Sequence, residues 1–182
     1  MSYINRRTSS RAKVGPLKDN TGKSFTDDES MVSILNQFFS SVFTREDLSN
    51  LPDPPIKFTG DIPLSTMHVC PEKVVEKLGK LKVNGAPGPD RVFPRVIVNL
   101  KEYLAIPLTI IFNRSLKEGV VPEDWRLANV TPIFKKGSKT SAANYRPVSL
   151  TSVICRVLES LLRDIIVDHL VRHNLIQKTQ HG

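Results

Sequence analysis

The chain has 182 residues, 40% of them hydrophobic and 24% charged, with a formal charge of +8 at pH 7. That is enough chain for one cored domain or two small ones, and too apolar for the disordered class. No apolar run approaches the roughly 20 residues of a membrane-spanning helix, the start MSYINRRTSS lacks the apolar stretch of a secretory leader, and Cys70 and Cys155 have no Cys or His at metal spacing, which argues against a disulfide framework or a zinc site and for an intracellular protein of nucleus or cytoplasm.

In chain order, VGPLKDNTGKSF predicts a small hairpin turning through Asp19, Asn20, Thr21 and Gly22. Met31, Ile34, Leu35, Phe38, Phe39, Val42 and Phe43 share one helical face, with Thr26 and Glu29 spaced as a capping box before them. These elements and the basic start form a first region, residues 1–43. Residues 44–70 are proline-rich without a sustained period and read as a linker or arm. From residue 71 the pattern is regular again. Pro71 suits a first helical position before Val74, Val75, Leu78 and Leu81. NGAPGPD, residues 84–90, is a rigid turn by composition. A helix is expected over Val96–Leu104, separated by Pro107 from another over Leu108–Leu116 that stops at Gly119. One helical turn should surround Trp125. Val130, Ile133 and Phe134 before a polar loop, with Val148 and Leu150 after it, predict a hairpin. The final helix carries Val153, Ile154, Val157, Leu158, Leu161, Leu162, Ile165, Ile166 and Leu170 on one stripe. The fold class is α+β, mainly helical.

Charge is unevenly spread. Residues 1–23 hold six Lys/Arg against one acid, 125–182 hold nine against three, and 24–124 hold eleven against fourteen. Basic ends around a mildly acidic middle suit a polyanion contacting the ends. The late hairpin concentrates the feature, since Lys135 and Lys136 enter its loop and Arg146 leaves it. Lysine supplies a point charge, and the planar donors of arginine match phosphate oxygens. Gly137 permits the turn, and Ser138, Thr140 and Ser141 offer hydroxyls. Pro147 biases Arg146 toward extended backbone. Lysines that merely blunt an exposed edge would look the same.

The run EGVVPEDWRLANVTPIFKKGSKTSAANYRPVSLTSVICRVLESLLRDIIVDHL closely resembles the front of non-LTR retrotransposon reverse transcriptases of the jockey-like, LINE-related class. The resemblance extends upstream through NGAPGPD and IPLTIIFNRSL. GPLKDNTGKSFTDDESMVSILNQFFSSVFT is similar to the segment between the endonuclease and polymerase parts of such elements. The resemblance implies that residues 71–182 begin the polymerase domain, with the hairpin in the fingers that close over the incoming nucleotide. Arg146 then takes the role of the arginine in the R-P-[IV]-S motif, and Lys135 or Lys136 that of a lysine on the triphosphate; the match does not choose between them. NGAPGPD corresponds to an A-P-G-P-D-G-I-P turn beside the template path, where Arg91 and Val92 replace the usual Gly-Ile. Asp90, in that turn, and Tyr145 are the candidate template contacts.

Other motifs dissolve on inspection. Phe25-Thr26-Asp27-Asp28 spells the polymerase F-x-D-D, but it opens an amphipathic helix, where acids favour the positive end of the helix dipole and Thr26 can cap. Gly22-Lys23-Ser24 lacks the glycine a P-loop needs, having Leu17 there instead. His169 and His173 are four apart without a third ligand. Trp125 reads as a core anchor, whereas Tyr145 is open to base stacking.

Polymerisation in the resembled family needs two magnesium ions held by palm aspartates that follow the fingers. After Arg146 the only acids are Glu159, Asp164 and Asp168, all within the last helix. The expectation is therefore a fingers portion preceding the palm, with no catalytic residue, metal site or cofactor of its own, and inactive alone. In the complete enzyme its partners would be an RNA/DNA template-primer and a dNTP. The alternatives are a non-catalytic nucleic-acid-binding remnant, or an unstable product of a decayed element whose final apolar stripe is uncovered.

Overall fold

The structure, a computed structural model, describes residues 14–44, Ser49 and 67–176. The basic segment 1–13 and most of the expected linker 44–70 lie outside the described residues. The chain forms two compact units, each built from segments distant in sequence: residues 1–51 with 130–148, and 52–129 with 149–182. It passes between them within the two strands of the late hairpin.

In the first unit, β1 (Leu17–Lys18) pairs antiparallel with β2 (Ser24–Phe25), matching Leu17 to Phe25 and Lys18 to Ser24. The turn forms as expected. The Asp19 carboxylate accepts from the backbone N–H groups of Thr21 (2.9 Å) and Lys23 (3.0 Å) and from the Thr21 hydroxyl (2.7 Å). The Thr21 hydroxyl bond is the main reason its pKa lies below the ordinary carboxylate value. Helix α1 (Asp28–Ser41) follows, burying Met31, Leu35 and Phe39 at the predicted spacing. Its cap is Asp27 rather than Thr26: the Asp27 side chain accepts from the Ser30 N–H at 2.8 Å. Both aspartates of the F-x-D-D string are thus spent at a helix start, one as cap and one as first helical residue. Leu17, Met31, Leu35, Phe39, Ala142 and Tyr145 form the core of this unit, with Phe134 against it.

The second unit is helical. Helix α2 (Pro71–Gly79) starts on Pro71 and buries Val74 and Leu78. Helix α3 (Pro94–Asn99) ends at Leu100, and α4 runs from Lys101 to Glu118, ending on left-handed Gly119 (φ 65°). The break thus falls at Leu100, and α4 continues through Pro107. Proline deletes one helical N–H and so frees the carbonyl four residues earlier; here Pro107 and Tyr103 both lie on the exposed side of the helix. The short helix α5 (Glu123–Arg126) sets Trp125 edge-on to Phe112, ring centroids 5.8 Å apart, which makes Trp125 the core anchor expected. Strands β3 (Ala128–Phe134) and β4 (Tyr145–Thr151) form the second two-stranded sheet, and α6 (Val153–Arg172) completes the fold.

The core of this unit joins Val74 and Leu78 of α2, Ile97 of α3, Leu108 and Phe112 of α4, and Val153, Val157, Leu158 and Leu161 of α6. The Asn113 side chain ties the approach to α2 onto α4, accepting from the Val69 N–H (2.9 Å) and donating to the Val69 carbonyl (2.8 Å). The apolar stripe of α6 is most deeply buried in its first half; Ile165 and Leu170 are half-buried and Ile166 is exposed, as are Val167 and Val171 beside the stripe. The fold is therefore mixed α and β with two small antiparallel sheets, and among the described residues no helix is long and apolar enough to cross a membrane. Cys70 and Cys155 are both free thiols. Burial, reinforced by the neighbouring Glu159 carboxylate, pushes the Cys155 thiol up to about 11.

Candidate nucleotide-facing hairpin

The strands of the late hairpin are poor core formers. Val130, Ile133 and Val148 remain exposed, and each strand carries a proline, Pro132 or Pro147, which a two-stranded ribbon tolerates on its open edges. Order comes from the loop end. The Lys135 N–H donates to the Asn144 carbonyl at 2.8 Å, and the Phe134 and Tyr145 rings meet edge-on with centroids 5.6 Å apart. Residues 134 and 145 are therefore cross-strand neighbours facing the core of the first unit. Strand alternation places Ile133, Lys135 and Arg146 on the opposite face, and all three are exposed. Two of the three predicted cations thus share one solvent face. Lys136, also exposed, lies in the bend two residues past the end of β3.

The loop is built internally. Gly137 takes φ 88°, and a Cβ there would come within 2.8 Å of the Asn144 side chain. Asn144 packs beside that glycine and donates to the Ser138 carbonyl at 2.9 Å. The Ser138 and Thr140 hydroxyls bond each other at 2.7 Å at the exposed side of the loop. Tyr145 is buried, and its hydroxyl donates to the Lys139 carbonyl at 2.8 Å. Its ring is thereby part of the core that holds the hairpin, with no face turned to solvent. The Thr140 carbonyl accepts from the Lys18 N–H at 2.8 Å, fastening the loop to β1. A fourth cation, Lys139, lies 5.7 Å from the centre of the Phe134 ring. Neither Lys139 nor the bracing Asn144 stood out in the sequence, because their roles depend on how the loop closes. Among the described residues no carboxylate pairs with Lys135, Lys136, Lys139 or Arg146.

The NGAPGPD turn is described with the second unit. Asp90 is exposed, and its carboxylate accepts from the Val92 N–H at 3.1 Å. Gly88 is buried against the backbone of Thr151 and Ser152. Arg91 adopts φ 56°, a left-handed conformation that costs an L-residue about 1 kcal/mol or more and glycine almost nothing. This is a physical reason for a glycine in the resembled turn, and it makes Arg91 the strained member here. Arg91→Gly should stabilise the fold by about 0.5 kcal/mol, strain relief being partly offset by unfolded-chain entropy, whereas Arg91→Val should destabilise it. Urea midpoints in the order Gly, Arg, Val confirm this; Val at or above Arg contradicts it.

Each acid that follows Arg146 has a near polar neighbour. Glu159 lies beside the Cys155 thiol, Asp164 pairs with Lys77 and Arg163, and Asp168 pairs with Arg172. Among the described residues no three His, Cys, Asp or Glu side chains gather as a metal site would require. His169 and His173 lie together, rings 4.7 Å apart, without a third ligand.

Comparison with known proteins gives the hairpin its context. No family model matches the chain. The chain is 26% identical over 147 residues to a probable RNA-directed DNA polymerase from transposon BS of Drosophila melanogaster, covering 80% of this chain and 16% of that protein. It is 28% identical over 123 residues to the probable polymerase of the X-element, covering 67% and 13%. It is 33% identical over 106 residues to the RNA-directed DNA polymerase of the mobile element jockey, covering 58% and 11%. Its curated homologues are RNA-directed DNA polymerases of Drosophila non-LTR retrotransposons. The chain spans less than a fifth of the length of these relatives.

Proposed function

We propose that this chain supplies the nucleotide-facing fingers portion of a retrotransposon RNA-directed DNA polymerase, and that its late hairpin binds the triphosphate of the incoming nucleotide. One observation carries the reading: Lys135 and Arg146 share an exposed face of a loop-braced hairpin, with no carboxylate among the described residues to neutralise them. The polymerase relatives supply the reaction class. Of the two adjacent lysines, Lys135 takes the phosphate-binding role beside Arg146, because its N–H still bonds across to the Asn144 carbonyl one residue beyond β3, which continues the alternation to the face of the arginine. Fixed cations stabilise the negative charge that shifts toward the leaving pyrophosphate in phosphoryl transfer, and a rigid loop avoids reorganisation at that moment. The carboxylates that hold magnesium come from outside these residues, so the chain by itself binds nucleotide without extending a primer.

Titration of the purified chain with a fluorescent dNTP tests this. Arg146→Gln and Lys135→Gln should each weaken binding about tenfold, in line with loss of a charge-assisted bond of roughly 1.5 kcal/mol or more. Lys136→Gln should weaken it less. Inorganic tripolyphosphate should compete. Equal binding by wild type and both variants, or magnesium-dependent primer extension by the chain alone, would overturn the reading.

A further inference from the structure

A second concentration of positive charge lies within the helical unit. An open groove of about 440 Å³ runs between the end of α2, the turn after it and the first half of α6. Lys77, Lys80, Lys82, Arg156 and Arg163 line it, and no carboxylate does. Two acids stand outside and neutralise part of this charge. Glu76 pairs with Lys80 at 2.6 Å, and Asp164 pairs with Lys77 and Arg163. Lys82 and Arg156 have no acidic partner among the described residues, and the Arg156 guanidinium is held in place by donating to the Ala86 carbonyl at 3.2 Å. The floor is apolar, formed by Leu81, Pro94, Val153 and Val157.

We infer that this groove grips a nucleic-acid strand through successive phosphates. The cations come from three separate elements spread along an open channel, which fits a repeating anion better than a single one, and the apolar floor weakens the competition of water for the charges above it. The inference rests on the polymerase reading for its partner and adds a strand-binding surface separate from the triphosphate-binding residues.

Anisotropy of a fluorescein-labelled oligo-U of about 16 nucleotides, titrated with the full chain over a range of salt, tests it. Lys80→Gln/Lys82→Gln should weaken binding several-fold and reduce the slope of log K against log salt by about 1.4, two single-strand phosphate contacts being lost. The control pair Lys117→Gln/Arg126→Gln, outside the groove, should leave the slope unchanged. Inorganic phosphate, a single anion, should at matched ionic strength displace the oligonucleotide no better than chloride. An unchanged slope in the groove variant, an equal change in the control, or efficient displacement by inorganic phosphate would overturn the inference. The groove variant should still bind the fluorescent dNTP as wild type does, so failure here leaves the hairpin reading standing, and failure of that reading leaves this one.

Discussion

Gly88→Ala is expected to be among the most damaging single substitutions in the chain. A Cβ at this position would lie 2.7 Å from the Thr151 carbonyl carbon and oxygen and from the Ser152 nitrogen. All three are backbone atoms at the junction of β4 and α6, so no side chain can swing aside. Relief requires the turn to move away from the start of α6, where Val153 and Val157 are fully or almost fully buried. Overpacking of this kind typically costs 1–3 kcal/mol, and a rigid backbone obstacle places the cost at about 3 kcal/mol or more. Against a net domain stability of 5–15 kcal/mol that is a large fraction. Urea unfolding followed by circular dichroism should show a midpoint shift of that size or loss of the cooperative transition. A shift worth less than about 0.5 kcal/mol would mean that the turn is not seated as described.

Phe112→Ala should be comparably severe for a different reason. Phe112 is completely buried, belongs to the core cluster that also holds α2 and α6 side chains, and meets Trp125 edge-on. Removing the ring deletes transfer energy and leaves a cavity, together worth about 3–5 kcal/mol, with the aromatic pair contributing about 1 kcal/mol of that. The chain has one tryptophan, so Trp125 fluorescence reports on this unit directly. It should shift toward the solvent-exposed value at lower urea in Phe112→Ala, while Phe112→Leu, which refills most of the space, should lose less. A loss below about 1 kcal/mol for the alanine variant would show that the core is not organised around this ring.

Much of this architecture was legible in the residues. The apolar spacing of α1 and α6, the proline opening α2, the glycine closing α4 and the Asp19 turn all act locally, through hydrogen bonds and side chains within a few positions of each other. What escaped depends on longer-range placement. Proline argued for a break at position 107, but Pro107 lies on the exposed side of a helix that continues through it, and the break falls at Leu100 instead. Asp27 caps α1 in place of Thr26, since either side chain satisfies the motif and only the chain direction decides. At the hairpin, the three cations could be named from sequence, yet their facing could not. That required the contact of Phe134 with Tyr145, on the face opposite Lys135 and Arg146, which also buries Tyr145 within the core of the first unit. The cationic groove was invisible for the same reason, its lysines and arginines lying up to 86 positions apart.

The role proposed for the braced hairpin, with Lys135 and Arg146 on one face, is to receive a nucleotide triphosphate. The most direct measurement is two-dimensional amide NMR of the isotope-labelled chain titrated with a dNTP, followed by the same titration of Arg146→Gln. The account predicts saturable shifts concentrated on residues 133–146, largest near Lys135 and Arg146, and nearly abolished in the variant. Shifts centred elsewhere, or the same hairpin shifts in Arg146→Gln, would contradict it.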